Sequence, residues 1–149
     1  MARDRLQTAV LDAADALNPA PPLLAQAAAD AVLLVFALSA VSPGRMAAVL
    51  ALAHAVLRPG GLLLFRDYAL YDMPMLRFAP QQMLAPRLFR REDGTLAYFF
   101  TTEDLTSRAA AARFAPVECS YACVNNVNRK NATVLQRAFV HGVFKKAER

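Results

Sequence analysis

From Ala31 to Leu38 the chain is continuously apolar, with Asp30 before it and Ser42-Pro43 closing the stretch. A run of that length without alternation predicts a strand buried on both faces of a parallel sheet. Met46, Val49, Leu50, Leu52, Ala53, Val56 and Leu57 then recur at helical spacing. Ser42 is placed to cap that helix, with Pro43 at its first position. Pro59-Gly60-Gly61 stops it, and Leu62 to Phe65 reads as the next buried strand. Strand, helix and strand with short connections make a βαβ unit, a crossover that is almost always right-handed.

On either side of this unit the pattern is weaker. Thr8 to Asp12 reads as a short strand ending in an acid. Pro19, Pro21 and Pro22 break any long helix between Ala13 and Ala29. Leu88–Arg91 and Leu96–Phe100 flank Glu92-Asp93-Gly94-Thr95, a hairpin signal. Thr101 to Asp104 offers capping side chains for an Ala-rich helix running toward Phe114. Pro116–Val124 and Thr133–Phe144 are two further strands, joined by the polar segment Asn125 to Asn131.

At 149 residues, 56% apolar and 19% charged, the chain is expected to fold as one globular domain over residues 1–149. A net charge of +5 fits a polyanionic partner such as RNA. The longest apolar run, even carried across Ser39 to Val41, is well short of the ~20 residues of a membrane helix, and no secretory signal opens the chain. Cys119 and Cys123, four apart on one strand, sit about 13 Å apart, beyond disulfide reach. Two reduced thiols point to a reducing compartment, the cytoplasm first, with nucleus and mitochondrion also open. No zinc site is expected, since His54 and His141 are distant in sequence.

The candidate chemistry lies just after the second buried strand, in Phe65-Arg66-Asp67-Tyr68-Ala69-Leu70-Tyr71-Asp72 with Leu76-Arg77-Phe78 following. Charge and rings at the carboxyl end of a strand stand where open α/β sheets bind ligands. A structural Arg66–Asp67 network with packed tyrosines is the alternative reading. Together with Leu57-Arg58-Pro59-Gly60-Gly61, this stretch resembles the tRNA 3-methylcytidine methyltransferases of the methyltransferase-like family. Phe36-Ala37-Leu38-Ser39-Ala40-Val41 with Pro43 matches in order, as do Arg91-Glu92-Asp93-Gly94-Thr95 with Tyr98-Phe99-Phe100, and Val127-Asn128-Arg129-Lys130.

The resemblance implies an α/β fold: an incomplete class I, Rossmann-like methyltransferase sheet. Strands three to seven would be present, closing with a C-terminal antiparallel hairpin. It implies methyl transfer from S-adenosylmethionine to N3 of a cytosine in a tRNA anticodon loop. Asp12 and Ala13 would meet the adenine, Asp12 being equally able to cap a helix, and Val35 and Phe36 would pack on the cofactor. Arg66, Asp67, Tyr68 and Tyr71 would form the catalytic cluster around the target base. Arg77, Arg91, Arg129 and Lys130 would contact RNA phosphates, their alternative being a solvated basic face. The five glycines, at 44, 60, 61, 94 and 142, form no Gly-x-Gly-x-x-Gly loop, so the chain alone is expected to hold the cofactor poorly. A truncated or partial chain of such an enzyme is the first reading, a non-catalytic RNA- or partner-binding module derived from one the second, and a chain completed by a partner protein the third.

Overall fold

A computed structural model of the chain describes residues 8–15, 28–127 and 134–147. Strand β1 (Ala29–Val35) leads through a 3-10 turn (Leu38–Ala40) to helix α1 (Met46–Val56) and strand β2 (Leu57–Tyr68). A short helix α2 (Met73–Arg77) and a second 3-10 turn (Pro80–Gln82) follow. Strands β3 (Met83–Ala85), β4 (Leu88–Arg90) and β5 (Leu96–Tyr98), helix α3 (Thr102–Ala111), and strands β6 (Phe114–Val127) and β7 (Val134–Lys146) complete the order.

The main sheet has the order β1-β2-β7-β6. β1 and β2 run parallel, while β7 pairs antiparallel with both β2 and β6. The βαβ unit and the closing hairpin expected from the sequence are therefore both present. Helices α1 and α3 cover one face, where Met46, Leu50, Leu105 and Ala109 pack with Leu63, Phe65, Val140 and Phe144. On the other face Leu33 and Val35 stand 64% and 50% exposed, so β1 is covered on one face only and not on both as its unbroken apolar run predicts. β3, β4 and β5 form a separate antiparallel sheet over a smaller core of Phe89, Ala97 and Phe99.

Several expectations shift on local chemistry. Thr8 to Asp12 forms no strand; it runs without ladder partners into a turn closed by Asp15 N–H on the Asp12 carbonyl at 3.1 Å. β1 stops at Val35 because Phe36 takes a left-handed φ of 50°. Ser42 is not the helix cap: its carbonyl accepts from Arg45 N–H at 2.8 Å, and α1 starts one turn later. β2 begins as early as Leu57, with Arg58 to Gly61 bulging between the Ala29–Leu57 and Ala31–Leu62 pairs. Gly60 has φ 74°, and a Cβ on Gly61 would stand 3.0 Å from the Arg58 carbonyl, so this corner demands glycine at both positions. Thr101 does cap α3, its hydroxyl accepting from Asp104 N–H at 3.1 Å, but the helix ends at Ala111. Lys146 ties the end of β7 to the end of α1 by donating to the carbonyls of His54 and Leu57 at 2.6 and 2.7 Å.

Candidate functional site

The site forms where β2 ends. Strand register puts Arg66 opposite His141 and Tyr68 opposite Phe139, on the face away from the helices. Asp67 alternates to the other face and is fully buried. Its Oδ2 accepts from Ser39 N–H and its Oδ1 from Tyr68 N–H, both at 2.9 Å. Burial pushes the Asp67 carboxyl up, against the pull of those hydrogen bonds. The carboxylate thus locks the turn after β1 to the end of β2.

Tyr68 is the centre of an aromatic group. Its ring lies 5.2 Å from Phe36, 5.9 Å from Phe99 and 6.5 Å from Phe139. Two guanidiniums stand over the same ring, Arg91 at 5.6 Å and Arg137 at 5.8 Å, within cation–π range. Tyr68, Pro74, Phe78, Arg91, Phe99 and Arg137 line a partly open cavity of about 240 Å³.

Arg137 is held in a fixed pose. Its Nε and Nη2 each donate to the Asp72 carboxylate at 2.9 Å, and Ala138 N–H donates to the same carboxylate at 2.9 Å. Asp72 is fully buried. Arg91 is braced by the Leu96 carbonyl at 2.7 Å. Arg66 lies over Phe139 at 4.5 Å and its Nη1 meets His141 Nε2.

Burial first, and then the Arg66 charge, lowers the His141 pKa below its usual 6.5, with Glu118 opposing. Burial also lowers that of His54, aided by Lys146 and Arg113. A histidine kept neutral in the fold contributes stability above the unfolded value near 6.5 that is lost as pH falls below it. Thermal denaturation should therefore show a lower Tm at pH 5.5 than at 7.5. The double variant His54→Gln/His141→Gln should flatten that difference; an unchanged slope would contradict it. Asp67, whose raised pKa acts with the opposite sign, is common to both proteins and cancels in the comparison.

The residues singled out in the sequence do not all meet. Arg66 and Tyr68 stand together; Asp67 points to the opposite face. Tyr71 leaves the group, 70% exposed with a left-handed φ of 64°, and lines a different cavity. Val35 and Phe36 sit at the end of β1, 50% and 41% exposed, Phe36 closing on Tyr68. Asp12 bonds Arg45 at 2.8 Å and Ala14 N–H at 2.9 Å, the arginine holding its carboxyl below the usual range. Ala13 is the next residue along that turn. Arg77 and Arg91 line a shallow cavity with Gln82 and Glu92. Arg129 and Lys130 lie outside the described residues. The residues that sequence reasoning passed over are Arg137 and Asp72. The available signal was a lone arginine interrupting the apolar run of β7.

No family model matches the chain. Solved structures align over most of it. They include a Burkholderia thailandensis 1,6-didemethyltoxoflavin-N1-methyltransferase bound to S-adenosylhomocysteine (TM-score 0.55, 21% identity, 79% of this chain and 44% of that one). A Methanosarcina mazei S-adenosylmethionine-dependent methyltransferase aligns with TM-score 0.56 and 18% identity, over 83% of this chain and 61% of that one. With the parallel β1–β2 pair and the antiparallel closing hairpin, these define the fold as that of class I methyltransferases.

The sequence is more specific. It is 40% identical over 132 residues to the mouse tRNA N(3)-cytidine methyltransferase METTL6, covering 89% of this chain and 45% of that protein. It is 37% identical over 117 residues to the Drosophila melanogaster tRNA N(3)-methylcytidine methyltransferase Mettl2, covering 78% of this chain and 36% of that protein. The chain is thus similar to one part of the tRNA N3-cytidine methyltransferases, and it spans between about a third and a half of the length of these curated relatives. Among the described residues no helix is long and apolar enough to cross a membrane, and no group of His, Cys, Asp or Glu is arranged to hold a metal.

Proposed function

We propose that this chain forms the methyl-acceptor side of a tRNA N3-cytidine methyltransferase. The observation that carries the reading is the 240 Å³ cavity of rings and guanidiniums at the carboxyl end of β2, in a chain 40% identical to such an enzyme. A cytosine flipped from its stack needs an aromatic surface and donors for its edge. Tyr68 supplies the ring surface, backed by the buried Phe99, and Arg91 and Arg137 can donate to the base carbonyl while leaving N3 free. N3 carries a lone pair and no proton, so no general base is required; orientation is the main contribution. The cation formed on the ring by methylation is one that aromatic faces tolerate. Asp67 serves this site by positioning Tyr68 rather than by contact.

S-adenosylmethionine, when bound, supplies the methyl group on a sulfonium sulfur. The residues present fit one side of it. Val35 and Phe36 offer exposed apolar side chains at the end of β1, next to Tyr68. Asp12 is already engaged by Arg45 and contributes only through whatever acceptor capacity that pair leaves. Isothermal calorimetry of this chain with S-adenosylmethionine should give binding weaker than micromolar, that is less than ~8 kcal/mol. A tighter constant would place a complete cofactor site within these residues.

Photo-cross-linking tests the acceptor reading. An anticodon stem-loop RNA carrying 5-iodocytidine at the target position should cross-link to the peptide holding Tyr68. Cross-links confined to other peptides would favour a module that binds RNA without presenting a base.

A further inference from the structure

We infer that the large cavity beside Tyr71 is a second nucleotide site, holding an unpaired RNA base next to the one that reacts. This rests on the tRNA reading above. The cavity measures about 740 Å³, and Tyr71, Tyr121, Asn125, Gln136 and Arg137 are among its walls. Arg137 also lines the 240 Å³ cavity, its guanidinium lying with Tyr68 and Phe139 and held by Asp72, while Tyr121, Asn125 and Gln136 project from the other face of the hairpin, so the two cavities meet only around Arg137 where β2 ends. An RNA strand that turns around the end of β2 at Arg137 would put one base in the smaller cavity and its neighbour in the larger.

The chemistry suits a base. Tyr71 and Tyr121 are 70% and 49% exposed, unusual for tyrosines that only pack. Tyr121 is anchored, its hydroxyl accepting from Thr102 N–H at 3.3 Å. Tyr71 is held outward by a left-handed backbone, φ 64°, with its N–H on the Met75 sulfur at 3.4 Å. Asn125 and Gln136 are direct cross-strand partners, so two carboxamides stand side by side, each with a donor and an acceptor for a base edge. The net charge of +5 favours the phosphates that would accompany the base.

The test uses this chain with an anticodon stem-loop RNA in which 2-aminopurine replaces the nucleotide on one side or the other of the target cytosine. One of the two probes should be quenched on binding. Tyr71→Asn, a residue that accepts the left-handed backbone, should abolish the quenching and weaken binding at least about 5-fold, the low end for one stacked base. Tyr71→Phe should retain both. Asn125→Ala/Gln136→Ala should keep the quenching while reducing discrimination between bases at that position. Failure to bind the stem-loop, no quenching of either probe, or equal quenching by Tyr71→Asn would overturn the site. Quenching without methyl transfer in a completed enzyme would instead remove the functional reading and leave the pocket standing. A surface for a protein partner would produce no quenching.

Discussion

Replacing Asp72 by alanine will destabilise the chain by about 3 kcal/mol, the cost expected when one partner of a buried ion pair is removed. The carboxylate is fully buried and accepts both from the Arg137 guanidinium and from Ala138 N–H. Its loss leaves a partly buried cation and an unpaired backbone donor together. For a chain of this size the fall in Tm is on the order of 10 °C. Asp72→Asn, which keeps an acceptor for Ala138 but not the charge, should fall between. Asp72→Ala/Arg137→Met should recover part of the loss, because the uncompensated charge goes with the arginine. A change of only a degree or two in Asp72→Ala would show that water replaces the carboxylate and that Arg137 is not fixed by it.

Tyr68→Ala should have the largest effect on chemistry. In a completed enzyme it is expected to lower methyl transfer on the order of 100-fold, the scale of a misplaced reactant, with a smaller loss of tRNA affinity. The ring touches Phe36 on the cofactor side and walls the base cavity on the other, so it sets the distance between donor and acceptor. Tyr68→Phe keeps that surface and should retain most of the turnover. By contrast Asp67→Ala should act through stability, since its oxygens are spent on Ser39 and Tyr68. Equal losses of affinity and turnover in Tyr68→Ala would reduce Tyr68 to an RNA-binding residue.

The legible parts of this fold are those set by a local pattern, although the unbroken apolar run of β1 overstates its burial, since Leu33 and Val35 are exposed. The apolar runs of β1 and β2, the helical spacing of α1 and the Asp93-Gly94 hairpin each follow from one local rule. Alternation along β2 also placed Asp67 opposite to Arg66 and Tyr68, but grouping four neighbours by sequence overrode it. What stayed hidden is non-local. Arg137 and Asp72 lie 65 positions apart and meet only because β7 inserts beside β2. Helix α2 is five residues long and carries a proline at its start, too short for periodicity to show. The turn at Thr8 to Asp12 reads as a strand from its apolar residues, yet a strand exists only where another supplies its ladder.

The central claim, that these residues present a tRNA cytosine for methylation at N3, is tested most directly by a chimera. The 132 matched residues of the mouse relative would be replaced by those of this chain. Nucleosides from tRNA incubated with the folded chimera and S-adenosylmethionine would then be separated and weighed. The account predicts 3-methylcytidine as the product, reduced by Tyr68→Ala and by Arg137→Ala. A folded chimera that binds tRNA and forms no 3-methylcytidine, or that methylates a different atom, would contradict it.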